Sequence, residues 1–481
     1  MGFRNLVPIL ALLHYGVLGA NILIWSPRYG LSHVNFLGNI ADVLTADGHN
    51  VTIYSSILDP HVTTFGNRLP AHTIFFKPEG FSNDWLKLEM KGPLVWEAPP
   101  CEGMCMKWSD FDQIVEQTYK LCKAILKDDV LLGRLRNSKF ELVFSECFDA
   151  CAPGIWEMIG IKNIVLVSAL GMMPRLYDIT GMPTVSSFMP VGLTPYSDEM
   201  TFMERVVNFN LDIVFQYYKY TLDNKFWKLF NDKIPGFPTF EQIYNDKTAL
   251  IMTNVNEFAE TARPTTNMIR YIGGSTLHEP KPLSKELSEL LNKNPTTILI
   301  SMGSLAQSKD MPTWLKKADP RLSLFITHGG MNSILEAMHY GKPMIVVPLF
   351  ADQQLNSKAV ERRGMGIILE RHLLNKKTLT EALKHVMGSK EIARKCALVA
   401  SILAGRPKQY RQEIAKWAKI ITEHGKLDHL PLYSRNMNWI QYYSLDVIAF
   451  ELCIVISALS LVVWLIRRVL SCFYTSKVKS D

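Results

Sequence analysis

The feature that most limits how this chain can fold is an order of elements near its beginning. An apolar β-like run, NILIWSP (Asn21 to Pro27), is followed by a loop, RYGLSH, a helix-like stretch, VNFLGNIADVLTADG, closed by Gly48, and a second β-like run, NVTIYSS. Strand, loop, helix, strand is a βαβ unit, and such units imply a parallel sheet. A second unit lies in ELVFSECFDACAPGIWEMIGIKNIVLVSA (Glu141 to Ala169). Residues 182–238 read as irregular and rich in aromatics and methionine, a composition that suits an apolar pocket and equally a helical core. A passage rich in proline (Pro235, Pro238, Pro264, Pro280, Pro282) separates the halves and contains the strand ALIMTNVN. The second half restarts with TTILISMGS, LSLFITHGG, PMIVVPLF and GIILE, again interleaved with helical stretches. The expected architecture is α/β, with two doubly wound, Rossmann-like domains at 21–245 and 246–440. In such sheets ligands bind beyond the carboxyl ends of the strands. A length of 481 residues accommodates two domains.

Both ends carry apolar segments. Residues 1–20 place Arg4 before an apolar stretch that ends at Gly19 and Ala20, the pattern of a secretory signal peptide. Val447 to Ile466 is long enough to span a bilayer as a helix, with Glu451 near one end. Arg467, Arg468, Lys477 and Lys479 follow, so the tail at 467–481 is expected in the cytosol and the bulk of the chain in the lumen. The ending KVKSD resembles a dilysine retrieval signal, which points to a single-pass type I protein of the endoplasmic reticulum membrane. A net charge of +7 without a dense basic block gives no sign of nucleic acid as a partner. The eight cysteines form no CxxC pair and no Cys/His metal spacing; Cys101 and Cys105 are candidates for a bridge in an oxidising lumen. The sequon Asn50-Val51-Thr52 opens a strand, which counts against glycosylation there.

The stretch THGGMNSILEA, Thr327 to Ala337, sits where a strand hands over to a helix. A helix N-terminus offers N–H groups and partial positive charge, and so binds anions. Gly329 and Gly330 admit close backbone approach, Asn332 and Ser333 donate from side chains, and His328 adds a contact, charged or neutral. Glu336, one turn on, tilts back toward the N-terminus, where a carboxylate beside phosphates needs hydroxyls to accept from; a ribose supplies them. PLFADQ puts Asp352 and Gln353 after the next strand, at the same edge of the sheet.

FITHGGMNSILEAMHYGKPMIVVPLFADQ resembles the signature of the UDP-glycosyltransferases, in particular the membrane-anchored animal kind that includes UDP-glucuronosyltransferases. The similarity extends to SHVNFLGNIADVLTADGHNVT, RYIGGS, ILISMGS and the C-terminal anchor. The resemblance implies a GT-B fold with an N-terminal acceptor domain and a C-terminal donor domain. It implies that Ser304, His328, Gly330, Asn332 and Ser333 hold the diphosphate, that Glu336 takes the ribose, and that Asp352 and Gln353 take the sugar hydroxyls. UDP-sugar is then a donor substrate, with a small lipophilic acceptor, no cofactor and no metal. DFD at Asp110–Asp112 mimics a metal-binding DxD, but it opens an amphipathic run after Ser109, where helix capping and first-turn acids explain it. A nicotinamide enzyme is excluded by the lack of G-x-G-x-x-G after any strand.

His33 follows Ser32 at the cleft edge of the first sheet. A lone histidine is more often structural, but the family's general base occupies this Ser-His site, and imidazole titrates near neutrality as such a base must. The resemblance puts Glu146 where the family has an aspartate that orients the base, with Asp149 as the alternative. Glu141 and Glu157 read as solvated residues.

One interval departs from the family. Seventeen residues, LAQSKDMPTWLKKADPR, separate Ser304 from Leu322, where the family has a helix, further strands and a Trp-x-Pro-Gln loop that packs on uracil. Trp314-Leu315 is followed by no Pro-Gln. Loss of a stacking platform costs roughly 1–3 kcal/mol per base. The alternative to an active transferase is therefore a non-catalytic membrane protein of the same fold, one that binds acceptors or pairs as a homo- or hetero-oligomer with full-length relatives.

Overall fold

A computed structural model describes residues 19–82, 100–278, 282–293, 296–303 and 322–478. The first sheet is parallel throughout. It comprises Asn21–Trp25 (β1), Asn50–Ser56 (β2), His72–Phe76 (β3), Leu142–Glu146 (β4), Asn163–Ser168 (β5), Thr248–Thr253 (β6) and Ile269–Tyr271 (β7). Their spatial order is β3-β2-β1-β4-β5-β6-β7. Leu31–Ala46 (α1), Trp108–Lys127 (α2), Asp129–Asn137 (α3), Ala152–Met158 (α4), Pro174–Thr180 (α5), Phe202–Lys233 (α6) and Phe240–Lys247 (α7) accompany it. β4 and β6 are buried along their whole length, as strands covered on both faces must be, and their near-continuous apolar sequences follow from that. The chain leaves β1 toward β2 on one side and leaves β4 toward β5 on the other. The connections after β1 and β4 therefore splay apart, opening a crevice at the carboxyl ends of two adjacent strands.

The second sheet is also parallel. It comprises Thr297–Ser301 (β8), Leu322–Thr327 (β9), Met344–Val346 (β10) and Gly366–Ile368 (β11), in the order β11-β10-β9-β8. Lys285–Lys293 (α8), Met331–His339 (α9), Gln353–Arg362 (α10), Lys376–Gly388 (α11), Lys390–Leu403 (α12) and Arg406–His424 (α13) follow the same part of the chain. After them come Trp439–Tyr442 (α14) and Leu445–Val478 (α15). Residues 445–468 of α15 are long and apolar enough to cross a membrane, and none of that stretch is buried in the protein.

Two expectations change and one alternative is decided. The boundary placed at 245/246 falls inside the first sheet. β6 is a fully buried run without charge that pairs with β5 from Val165 opposite Leu250 onward, and β7 then pairs with β6. The 246–440 segment also sends α13 back across: Ile414, Trp417 and Ile421 share a core with Ile22 and Phe36 of the first domain. Residues 182–238, read as irregular with a helical core as an equal alternative, contain the 32-residue α6, in line with that alternative. It starts at a reciprocal cap in which Thr201 Oγ1 accepts from Glu204 N and Glu204 Oε2 accepts from Thr201 N. Apolar residues on both sides of this helix hide the 3.6-residue period by which a helix is usually read.

Cys101 and Cys105 form a disulfide, as the spacing suggested, and Cys122 bridges Cys151, tying α2 to the turn before α4. Ser304, residues 305–321, most of the signal segment and the last residues of the tail lie outside the described residues.

Candidate active site

The crevice beyond β1 and β4 holds a histidine and a carboxylate. His33 lies in the first turn of α1, and Glu146 ends β4. Pairing of β1 with β4 sets Trp25 opposite Ser145, so Glu146 emerges one position past the end of β1, level with the start of α1. His33 Nδ1 is 2.7 Å from Glu146 Oε2, and the Glu146 carboxylate is almost wholly buried. Glu146 Oε1 accepts from the Ala169 N–H at 2.8 Å, just past β5, which fixes the carboxylate from its other side. Burial alone favours the neutral imidazole, but the Glu146 carboxylate, helped by Asp352, outweighs it and raises the His33 pKa above the ordinary value.

Asp149 does not share this contact. Its Oδ2 accepts from Trp25 Nε1 at 2.7 Å and its Oδ1 from Cys151 N at 2.9 Å, so the group braces the turn between β4 and α4. Of the two carboxylates considered beside His33, Glu146 is the one within reach. Asp110 is buried in the first turn of α2, after an N-cap at Lys107 rather than Ser109, and among the described residues no cluster of His, Cys, Asp or Glu is arranged to hold a metal.

Facing this pair is the second domain's strand-to-helix turn. β9 ends at Thr327, His328 and Gly329 follow, and Gly330 caps α9. The first N–H groups of α9 have no intrahelical partner and point out of its N-terminus beside the Asn332 and Ser333 side chains. Two of the glycines leave room for the histidine ring. A Cβ on Gly330, or on Gly303 after β8, would come within 2.5 Å of His328 Nε2, so the ring lies in a slot between the two. Gly329 has φ +89°, and a Cβ there would meet Ser357 Oγ and Val346 Cγ1 at 2.9 Å, which faces the protein interior. Burial pushes the His328 pKa down to about 4, so its ring is neutral at physiological pH. Of the two forms considered from sequence, burial favours the neutral one.

Glu336 is half-buried on α9, and burial pushes its carboxyl up to about 6. Asp352 begins α10 with its Oδ2 accepting from Asn356 Nδ2 at 2.6 Å. Burial raises its pKa, and Asn356 and the nearby His33 act against that rise. Gln353 Oε1 accepts from Leu349 N at 2.9 Å and from Phe350 N, so that oxygen is spent on its own loop and the amide NH2 is what remains for a ligand.

Three groups escaped sequence reasoning. Asn356 donates both to Asp352 and to the Gly329 carbonyl at 3.1 Å, linking the two strand-end turns. Asn254, fully buried after β6, donates to the Ala169 carbonyl at 3.1 Å and to Asn332 Oδ1 at 2.8 Å, so it joins the two domains and turns the Asn332 amide outward. The Cys105 carbonyl accepts from Ala351 N at 2.8 Å, anchoring the disulfide loop to the turn before Asp352, where Ala351 has φ +54°. Between the domains lies a small cleft lined by Met172, Met173, Leu193, Met331, Asp352 and Asn356. Both sides mix apolar and polar groups: Met172 and Leu193 with Glu260 on one, Met331 and Leu355 with Asp352 and Asn356 on the other.

This arrangement has counterparts. The chain matches the family described as UDP-glucoronosyl and UDP-glucosyl transferase over residues 20–318 and 313–480. It is 26% identical to UDP-glucuronosyltransferase 2A3 of Cavia porcellus, covering 92% of this chain and 91% of that protein. It is likewise 26% identical to UDP-glucuronosyltransferase 2B15 of Homo sapiens, again over 92% and 91%. In fold it is similar to the glycotransferase of kitacinnamycin, with TM-score 0.51 at 16% identity over 86% of this chain and 100% of that one. A Phytolacca americana UGT2, solved with UDP-2fluoro-glucose and pterostilbene, gives TM-score 0.51 at 14% identity over 83% and 100%. Two Rossmann-like domains around a cleft are thus a GT-B fold, and the chain belongs to the UDP-glucuronosyl and UDP-glucosyl transferase family as a UDP-glycosyltransferase of the animal glucuronosyltransferase type.

Proposed function

We propose that this UDP-glycosyltransferase moves a hexosyl or glucuronosyl group from a UDP-sugar to a hydroxyl of a small lipophilic acceptor, with inversion, with His33 as general base and without a metal ion. The observation that carries the reading is the 2.7 Å contact of His33 Nδ1 with Glu146, set across the cleft from Asp352. With Nδ1–H donated to Glu146, the Nε2 lone pair is left to take the acceptor's proton. The freed oxygen attacks the anomeric carbon as the bond from that carbon to the UDP oxygen breaks, and UDP departs carrying the electron pair. The α9 N-terminus, Asn332, Ser333, neutral His328 and Gly330 stabilise the charge on the departing diphosphate. Ser304 joins them by the same reading. Glu336 accepts from the ribose hydroxyls, and Asp352 with the Gln353 amide holds those of the sugar. The methionine-lined wall takes the lipophilic acceptor.

The proposal extends to location: a chain in the endoplasmic reticulum membrane, with α15 spanning it and both domains in the lumen. Two disulfides fit that oxidising side, and Arg467 and Arg468 fit a cytosolic flank.

One observation favours a second reading. The alignment to the Cavia porcellus relative runs 491 positions, whereas 92% of this chain is about 443 residues, so roughly 48 positions have no counterpart here. The two family matches meet at 313–318, in the interval where a base-stacking element is expected. A form without that element binds acceptors or partners without transferring sugar. Transfer from a panel of UDP-sugars to a phenolic acceptor in microsomes, with His33→Ala beside the unsubstituted chain, separates the two. Turnover lost in His33→Ala supports the enzyme, and absence of both turnover and UDP binding in the unsubstituted chain rejects it.

A further inference from the structure

Two residues other than glycine hold left-handed backbone at the cleft. Leu193, in its first-domain wall, has φ +70°, and Ala351, just before Asp352, has φ +54°. Such conformations persist only where the surroundings impose them, and they gather at functional sites. Here one residue bonds to both. Cys105 N donates to the Leu193 carbonyl at 2.7 Å, and the Cys105 carbonyl accepts from Ala351 N at 2.8 Å. Cys105 is buried, and its disulfide to Cys101 closes the loop CEGMC.

The same loop is tied to the first domain a second time. Tyr196, also buried, donates its hydroxyl to the Glu102 carbonyl. Asp198 and Glu199, just beyond, pair with Arg362 at the far end of α10 at 2.9 and 2.8 Å. Those pairs lie toward solvent, where they contribute little, so the bond from buried Cys105 is the stronger tie between this loop and α10. Within the second domain, Gln353 Oε1 takes Leu349 N and Phe350 N. The Ala351 N–H reaches instead into the first domain, and Asp352 is the next residue along.

We propose that the Cys101–Cys105 loop is a positioning element for the donor sugar: by holding Ala351 it fixes the aim of the Asp352 carboxylate. The inference rests on the reading of Asp352 as a group that takes sugar hydroxyls. Asp352 Oδ2 is already bound to Asn356 on its own helix, so the remaining freedom of the carboxylate lies in the backbone turn before it. A displacement of about 1 Å in a positioning group can cost roughly 100-fold in rate. Opening the bridge gives the loop back its freedom and slackens its hold on Ala351, so the sugar is held less well. The nucleotide, read at the start of α9, has its contacts on a different turn and is held as before.

Cys101→Ser/Cys105→Ser tests this in the full chain in membranes, beside Asp352→Ala and the triple variant. Dissociation constants for UDP, UDP-glucuronate and UDP-glucose are measured with kcat/KM for transfer to a phenolic acceptor. In the double serine variant UDP affinity equal to that of the unsubstituted chain is expected, with kcat/KM for the preferred UDP-sugar lower by roughly 10- to 100-fold. Opening the bridge in Asp352→Ala should cost nothing further, because residues that act as one unit do not add. Unchanged kcat/KM in the double serine variant beside a loss in Asp352→Ala overturns the inference and leaves the reading of Asp352 standing. So does a loss that adds in full to that of Asp352→Ala. No loss in Asp352→Ala removes that reading and the inference with it. An equal loss of affinity for UDP and UDP-sugar also overturns it, since the bridge then only staples the fold. Tyr196→Phe removes the loop's other tie and leaves the bridge intact; the same selective loss, smaller, is expected there, and its absence overturns the inference even where the double serine variant fails to fold.

Discussion

Replacing Glu146 with Gln removes one charge and almost no volume, so its effect on the site is electrostatic rather than steric. In the native site Oε1 takes the Ala169 N–H and Oε2 faces His33 Nδ1. A glutamine has one acceptor oxygen, and the buried Ala169 N–H claims it, because an unmet buried donor costs about 1–3 kcal/mol. The glutamine NH2 is then left facing Nδ1, which must accept, so the imidazole proton moves to Nε2. That nitrogen can no longer take the acceptor's proton. Loss of a positioned general base costs roughly 10²–10⁴-fold in rate, or about 3–5 kcal/mol of barrier. Glu146→Asp keeps the charge but withdraws it by one methylene, so its kcat falls between the two. The assay is kcat and kcat/KM against pH for full-length protein in membranes, at saturating UDP-sugar. In the native chain the acid limb reports His33, whose pKa Glu146 and Asp352 hold above the ordinary value; activity falls as pH drops through it. In Glu146→Gln burial is the dominant influence left, so the limb moves to lower pH while the plateau falls. An unchanged plateau with an unchanged limb would refute the coupling of these two residues.

Glu336→Gln separates stability from binding. Its folded pKa, near 6, lies above the unfolded value, so the carboxyl's contribution to stability is complete below the unfolded pKa and is lost as pH rises through about 6. The variant should raise the ligand-free melting temperature above pH 6 while weakening UDP binding by roughly tenfold or more, the loss expected when an ionised acceptor is removed from a hydrogen bond; calorimetry reads both. Gly330→Ala drives a methyl toward the His328 ring and should cost about 1–3 kcal/mol by overpacking, seen as a lower melting temperature and weaker UDP binding. Asn254→Asp sets a carboxylate against Asn332 Oδ1 and the Ala169 carbonyl, both acceptors; UDP affinity should fall by at least the roughly tenfold that about 1.4 kcal/mol represents, with the fold retained by circular dichroism.

The strand-to-helix turn proposed to hold the diphosphate stood out in the sequence because its groups are contiguous. One turn from Thr327 to Glu336 carries the glycines, the polar side chains and the carboxylate, and the strand-to-helix handover gives the chemistry away. His33 and Glu146 are 113 residues apart, yet each follows a β-like run, and a sheet whose connections diverge after β1 and β4 brings strand ends together. Asn254 and Asn356 were not legible, since a lone asparagine carries no local pattern and theirs arises only where two turns meet in space. β6 and β7 were assigned to the wrong half for a similar reason: a short buried apolar strand fits either sheet, and only its pairing decides. The role of the His328 slot also needed coordinates, because glycines that accommodate a ring and glycines that accommodate a phosphate look alike in one dimension.

The central claim is that His33, held by Glu146, performs the proton transfer while nucleotide binding does not depend on His33. The most direct measurement is UDP affinity and single-turnover glycosyl transfer on the same preparations of the unsubstituted chain and of His33→Ala. The account predicts equal UDP affinity, with transfer in the variant lower by roughly 10²–10⁴-fold. Transfer by His33→Ala at the unsubstituted rate would contradict it.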